Sequence, residues 1–234
     1  MKILVTGFEP FGSHRSNPSW DAVEALPEEI EGVQIVKRKL PVSFRRFSAP
    51  LEAAIEEERP DGLICVGLAG GEDKVSVERV GINLMEARIP DNDGFQPFDT
   101  PIRPDGDTAY FSTLPVKRMA KAVESRGIAC CVSYSAGTFV CNAALYTGLY
   151  LSSRRYRFMK CCFIHVPHGG SAGRTALYEE GNSDGGPDCG GRRGGPGAEG
   201  REGKRRSPGG RRHDFLTHEN WRLRLEAYGL FMER

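Results

Sequence analysis

The chain lacks any run of about 18 apolar residues, so its sequence predicts no transmembrane helix. Its formal net charge is only +1, which gives no general attraction to nucleic acid or to an anionic membrane surface. Residues 1–12 lack the long apolar core and the small-residue cleavage site of a secretory leader, and they favour a strand and a turn instead. These absences predict a cytoplasmic protein that binds neither membranes nor nucleic acid.

The cysteine pattern of a disulfide scaffold or a zinc site is also missing. The sequence contains seven cysteines, an odd number, and none of them follow C-x-x-C spacing. Cys130-Cys131 and Cys161-Cys162 are adjacent pairs inside apolar, strand-like runs, where neighbouring side chains point to opposite faces. Core and surface thiols in a reducing compartment are therefore expected, rather than disulfides.

The chain does contain short apolar runs, which alternate with amphipathic segments whose apolar residues recur at helical spacing. Asn17 and Pro18 are typical of a helix N-cap and of the first helical position. Strands are predicted at residues 2–6, 33–40, 63–67, 75–84, 129–134 and 161–166, helices at 18–26, 44–58, 116–125 and 138–152, and an ordered loop at 88–107. This order indicates an α/β fold whose mainly parallel sheet carries helices on both faces.

Three titratable residues could perform chemistry together. Cys141 follows a strand and a Gly-containing turn at the start of a helix, where the helix dipole and unpaired N–H groups favour a thiolate. A cysteine nucleophile needs a base, which His165 could supply, and the base needs an orienting group, which Glu78 could supply. We expect parallel strands to bring the ends of the two flanking strands, and hence Cys141 and His165, together.

Structural alternatives exist for each of these residues. His165 lies in an apolar strand, where a hydrogen-bonded core histidine is common. Glu78 and Arg79 could form a solvated surface pair. A metal site formed by His165, His168 and the Cys161-Cys162 pair is conceivable, although these residues lack the usual ligand spacing.

Several motifs decide between these alternatives because they occur together and in order. They are Val5–Gly12, Asn17–Trp20, Leu40–Val42, Val66–Ala69, Val77–Asn83, Ala87–Asn92, Ala109–Pro115, Ser135–Asn142 and Phe163–Pro167. In these motifs the chain resembles the pyrrolidone-carboxylate peptidases, also called pyroglutamyl-peptidase I, a family of cysteine peptidases. The resemblance extends from residue 1 to about residue 168.

The resemblance implies a three-layer α/β/α sandwich with a mainly parallel, mixed and twisted sheet. It implies a cytoplasmic enzyme, a homotetramer in the family, that removes N-terminal pyroglutamyl (5-oxoproline) residues from peptides without a metal or organic cofactor. The family's catalytic Cys–His–Glu triad corresponds to Cys141, His165 and Glu78. Its substrate pocket corresponds to Phe8, Phe11, Ile89, Phe139 and Val140, and Arg88 is a candidate for stabilising the oxyanion.

The sequence departs from the family after residue 168. Family members continue with an ordered loop and a C-terminal helix that covers the sheet, whereas residues 169–210 of this chain hold 15 of its 29 glycines and many arginines. We therefore predict an α/β domain over residues 1–168, a disordered tail over 169–234 and loss of the covering helix. Our preferred hypothesis is a reading-frame slip near Pro167–Gly173, which resequencing the locus would test.

Three other functions remain open at this point. The chain could be an inactive or unstable family member. Leaving the apolar surface of the sheet exposed to water would cost about 1.5–3 kcal/mol of stability per large side chain. It could use a basic tail to bind nucleic acid, although the basic residues are not interleaved with aromatic residues suited to base stacking. A nucleoside-phosphorylase-like enzyme is the third, but no phosphate-binding loop is evident in the sequence.

Overall fold

The computed structural model describes residues 1–168 of the 234-residue chain. The elements run, in chain order, β1 (Lys2–Phe8), α1 (Pro18–Glu24), β2 (Glu29–Ile30), β3 (Val33–Leu40), α2 (Ser48–Glu58), β4 (Gly62–Ala69), β5 (Val75–Glu78), β6 (Val80–Ile82), β7 (Ala109–Phe111), α3 (Val116–Glu124), β8 (Cys130–Ser133), α4 (Val140–Arg154) and β9 (Lys160–Pro167). None of the helices within this part of the chain is both long and apolar enough to cross a membrane.

Within residues 1–168, seven strands form the main sheet in the order β2-β3-β1-β4-β9-β5-β8, and β6 pairs with β7 in a separate two-stranded sheet. Strands β3, β1, β4 and β9 are parallel to one another. Strands β5 and β8 are parallel to each other but antiparallel to β9, and β2 is antiparallel to β3. The predicted mixed, mainly parallel sheet is therefore confirmed.

Helices cover both faces of this sheet, which confirms the three-layer α/β/α architecture. One hydrophobic core joins the sheet to α1 and α3, and a second core joins the opposite face to α2 and α4. Alternate residues of β9 divide between the cores, so that Cys162 and Ile164 enter the first while Cys161 and Phe163 enter the second. The six cysteines within residues 1–168 are all free thiols, as predicted.

The local signals at α1 are also confirmed. Asn17 is the N-cap, its side-chain oxygen accepts a hydrogen bond from the Ser19 backbone N–H at 3.0 Å, and Pro18 occupies the first helical position. Helix α2 differs from the prediction because it begins at Ser48 rather than at Phe44. The Phe44 backbone N–H donates instead to the Asp91 carboxylate at 2.8 Å, which holds this segment in a turn.

The strand predicted over residues 75–84 is two strands in two different sheets. The strand is interrupted at Arg79. The backbone N–H of this residue donates to Ser133 O, and its carbonyl accepts from Ser112 N. Beyond this residue β6 leaves the main sheet and pairs with β7, and neither β7 nor the short β2 was predicted. The predicted disordered tail, the loss of the covering helix and most of the proposed frame-slip region lie outside the described residues.

Candidate active site

Glu78 and His165 face each other across two antiparallel strands. Ser76 of β5 is opposite His165 of β9 and Glu78 is opposite Phe163, so Glu78 and His165 are diagonal neighbours on the same face. His165 Nδ1 and Glu78 Oε1 are 2.8 Å apart, with both side chains buried. Because a carboxylate only accepts hydrogen bonds, Nδ1 is the donor, and Nε2 remains available for a second partner.

The Cys141 thiol provides that partner. Cys141 is the second residue of α4, and its Sγ lies over Gly67 of β4, where a Cβ atom would come within 2.8 Å of the sulfur. Gly67 is paired in register with His165 on the adjacent strand, so the thiol lies beside the imidazole. Burial lowers the pKa of His165, but hydrogen bonds with Cys141 and Glu78 outweigh this effect and raise it to about 10.

The route that brings Cys141 to His165 differs from the predicted one. We expected parallel strands to bring the two strand ends together, but β8 is antiparallel to β9. The carboxyl end of β8 therefore does not lie where β9 ends. Instead, residues 134–139 carry the chain from β8 to the start of α4, and the packing of this helix against β4 and β9 positions the thiol.

The start of α4 has the properties of an anion-binding helix terminus. Phe139 is its N-cap with an extended backbone and makes no side-chain capping hydrogen bond. The N–H groups of the first helical turn, which include that of Cys141, have no partners within a helix. The preceding residue, Thr138, is fixed by two hydrogen bonds with Glu86, from its Oγ1 to Glu86 O (2.6 Å) and from Glu86 N to its carbonyl (3.1 Å).

The predicted pocket residues fall into two groups. Phe11 and Phe139 are partly exposed and pack edge to face, with ring centroids 5.5 Å apart. Ile89 is 53% exposed, and the neighbouring Arg88 is exposed as well. Phe8 and Val140 are instead core residues, 2% and 1% exposed.

Two further residues contribute to the site that sequence reasoning did not single out. Phe44 stacks edge to face on Phe139 at 5.1 Å and so extends the aromatic wall. Its helix-like spacing with Phe47 concealed this role. Gly67 lies beneath the thiol, and the signal for it was a glycine inside an otherwise apolar strand, which often marks a close approach of another group.

The metal alternative receives no support from the geometry. Cys161 and Cys162 point into opposite cores, so they cannot share a ligand shell with His165. Within residues 1–168, no three His, Cys, Asp or Glu side chains are grouped closely enough to hold a metal ion.

Comparison with known proteins identifies the family. The family model described as pyroglutamyl peptidase matches residues 1–172. This chain belongs to the pyroglutamyl peptidase family. The match includes every element described above and both residues of the buried His165–Glu78 pair.

Individual family members agree with this assignment. Over 168 residues the chain is 50% identical to a pyrrolidone-carboxylate peptidase of Streptococcus pneumoniae, covering 72% of this chain and 78% of that relative. A pyrrolidone-carboxylate peptidase of Thermococcus kodakarensis is 49% identical over 167 residues, which cover 71% and 81% of the two chains. The crystal structure of pyroglutamyl peptidase I from Bacillus amyloliquefaciens superposes with a TM-score of 0.70 at 46% identity, covering 71% and 80%.

Proposed function

We propose that this chain is a cysteine peptidase that hydrolyses the amide bond following an N-terminal pyroglutamyl residue of a peptide. The observation that carries the proposal is the thiol of Cys141 beside a buried His165–Glu78 pair, in a chain of the pyroglutamyl peptidase family. The raised pKa of His165 favours an imidazolium at neutral pH, which can donate a proton to the departing amine.

The proposed reaction is acyl transfer in two steps. Cys141 Sγ attacks the pyroglutamyl carbonyl carbon, and His165 donates a proton to the nitrogen of the departing peptide. The resulting thioester is hydrolysed by a water molecule whose proton passes to His165, and the thiolate is regenerated. Glu78 does not touch the substrate; it orients the imidazole and stabilises its positive charge.

The developing oxyanion would be received at the N-terminus of α4. The backbone N–H groups of its first turn have no partners within the helix and cost no reorganisation when charge develops beside them. Arg88, exposed in the loop between β6 and β7, is proposed as an additional cation for the oxyanion.

The pyroglutamyl ring is small, flat and uncharged, so an apolar slot with few polar contacts suits it. We propose that Phe11, Phe139 and Ile89 line this slot, together with Phe44. Phe8 and Val140 are also proposed to contact the ring, as the buried floor of the slot, since they are 2% and 1% exposed.

We also propose an oligomeric state and a cellular location for this protein. A homo-oligomer is supported by large aromatic side chains on the surface, since Phe111, Tyr134 and Phe158 are 64%, 62% and 53% exposed.

A cytoplasmic location is supported by the free thiols and by a thiol nucleophile, which a reducing compartment preserves.

The test is release of a fluorogenic amine from its pyroglutamyl amide, with the corresponding prolyl amide as the substrate control. The parent chain should cleave only the pyroglutamyl amide, and Cys141→Ser should lower kcat by about 10³-fold or more. Cys130→Ala is the matched control, because Cys130 is a free thiol in the first hydrophobic core, on the opposite face of the sheet from His165, and its substitution should leave the rate unchanged. Activity that survives Cys141→Ser would remove Cys141 from its proposed role.

A further inference from the structure

Asn142, the residue after Cys141, is a fully buried polar side chain with every hydrogen-bonding group engaged. Its Oδ1 accepts from the Ile82 backbone N–H at 3.0 Å, and its Nδ2 donates to Ile82 O at 2.9 Å and Leu84 O at 3.0 Å. The side-chain amide thus forms hydrogen bonds with the backbone at the end of β6 and just beyond it, as a neighbouring strand would. A buried amide without partners costs free energy, so these three bonds determine where the side chain can lie.

These bonds connect the residue next to the nucleophile to the segment that follows Glu78. Ile82 lies four residues after Glu78, on the segment that leaves the main sheet at Arg79. The same segment contacts α4 again at Gly81, where an added Cβ atom would lie 3.1 Å from the Tyr146 backbone. The start of α4 is therefore fixed relative to the residues that follow Glu78 by side-chain hydrogen bonds and by close backbone packing.

The thiol has little freedom to adjust if this connection is lost. Cys141 Sγ lies directly over Gly67, at a distance that would not accommodate even a methyl group. A rotation of the first turn of α4 in one direction would press the sulfur against β4, and a rotation in the other direction would withdraw it from His165. Small displacements of reacting groups are expensive, since a misplacement of about 1 Å can cost roughly 100-fold in rate.

We infer that Asn142 is a positioning residue for the nucleophile: by pairing with the backbone of Ile82 and Leu84, it fixes the first turn of α4 so that Cys141 Sγ meets His165. The inference deepens the proposed function and rests on it. Asn142 itself touches neither the reacting atoms nor the pocket. Its expected signature is a fall in kcat and in thiol reactivity with little change in KM.

The test compares Asn142→Asp and Asn142→Ala with Ser152→Ala in the full chain. Asn142→Asp keeps the size and one acceptor but loses both donors and faces two carbonyl groups. Ser152 is a matched control because it lies on the same helix, is buried, and donates to Met159 O at 2.6 Å, far from Cys141. The measurements are kcat and KM with the pyroglutamyl amide, the rate of Cys141 alkylation by iodoacetamide across pH 5–9, and folding by circular dichroism.

Both Asn142 variants should lower kcat by about 100-fold while KM stays within about threefold. Alkylation of Cys141 should slow in both Asn142 variants, because the displaced thiol loses its contact with His165, whereas Ser152→Ala should change neither rate. Parental alkylation in a folded Asn142 variant would overturn the inference. Loss of folding in both Asn142 variants, with Ser152→Ala still folded, would also overturn it, because Asn142 would then serve the fold rather than the thiol.

The two proposals fail in different ways in this experiment. If the parent chain does not cleave the pyroglutamyl amide, the proposed substrate is wrong. Alkylation of Cys141 needs no peptide substrate, so it still reports whether Asn142 controls the approach of the thiol to His165.

Discussion

Gly67 is the residue whose missing side chain makes room for the nucleophile. A Cβ atom at this position would lie 2.8 Å from Cys141 Sγ and 2.6 Å from the ring of Phe163, well inside van der Waals contact. The ring of Phe163 packs against that of His165, with centroids 4.7 Å apart. Any side chain at residue 67 would therefore disturb the thiol and the imidazole together.

Gly67→Ala should lower kcat by about 10- to 100-fold, because the methyl group displaces the sulfur from His165. Gly62→Ala is the control on the same strand, since its Cβ atom would meet only the flexible Cδ1 end of Ile3, at 2.8 Å. Both changes should destabilise the protein by about 1–3 kcal/mol, the usual cost of overpacking a core. Measuring both kcat and the free energy of unfolding in urea separates the effect on the active site from the effect on stability. Equal kcat in both variants would contradict the prediction.

At the scale of single residues, the sequence predicted which residues belong to the site better than it predicted which of them contact one another. The types and positions of Cys141, His165 and Glu78 were sufficient to select them, and the structure does bring them together. Their contact could not be derived, because periodicity does not reveal that β5 and β8 run opposite to β9. Phe8 was predicted as a pocket residue because it follows a strand in a turn bounded by glycines; the strand in fact extends through Phe8 and buries it, and its contact with the substrate stays a prediction.

At the scale of elements, the loop between β6 and β7 is held by one buried carboxylate. Asp91 is 5% exposed and accepts hydrogen bonds from the backbone N–H groups of Phe44, Asp93 and Phe95, at 2.8, 2.9 and 2.9 Å. Phe44 in turn packs on Phe139, next to the thiol. The carboxylate thus joins the loop that carries Ile89 to the turn that carries Phe44.

Asp91→Ala should raise KM for the pyroglutamyl amide by about tenfold or more, with a smaller change in kcat, because three backbone donors lose their acceptor and the pocket wall loosens. Asp99→Asn is the control in the same loop, because Asp99 is exposed and its left-handed backbone (φ 42°) suits Asn as well as Asp. An unchanged KM in a folded Asp91→Ala variant would refute this role for the loop.

Element boundaries followed the sequence wherever local chemistry determined them. Strand β3 has the predicted limits, and α1 begins at the predicted cap. The helix expected from residue 44 starts only at Ser48, and the turn before it is held by Asp91, which is distant in sequence and accepts the Phe44 N–H. The strand expected over residues 75–84 breaks because β7, also distant, pairs with its second half. Long-range partners of this kind leave no periodic signal.

For the whole molecule, the position of β9 in the main sheet determines where stability is concentrated. This strand lies between β4 and β5, with helices over both faces, and six of its eight residues are buried. The two-stranded sheet of β6 and β7 lies outside this arrangement, and Ala109 and Phe111 of β7 are exposed. Local opening should therefore be easy at β7 and should require global unfolding at β9.

Hydrogen exchange of the full chain, followed by mass spectrometry, should show this gradient. Backbone amides of β4 and β9 should exchange slowest, and those of β7 faster by on the order of 100-fold or more. The β1–β3 pair is an internal control, because it is parallel like β4–β9 but lies nearer the sheet edge and should exchange at an intermediate rate. Exchange of β9 as fast as that of β7 would be inconsistent with the central position of this strand.

The central position of β9 also has a consequence for biosynthesis. Among the strands of residues 1–168, the one that joins the two halves of the sheet comes last, so a ribosome synthesises β2-β3-β1-β4 and β5-β8 before it. Until then the edges of β4 and β5 are unpaired, and such edges are prone to associate with other chains. The same strand brings His165, so a nascent chain carries its thiol without its base. Proteolytic competence would therefore arise in one late step, together with closure of the sheet.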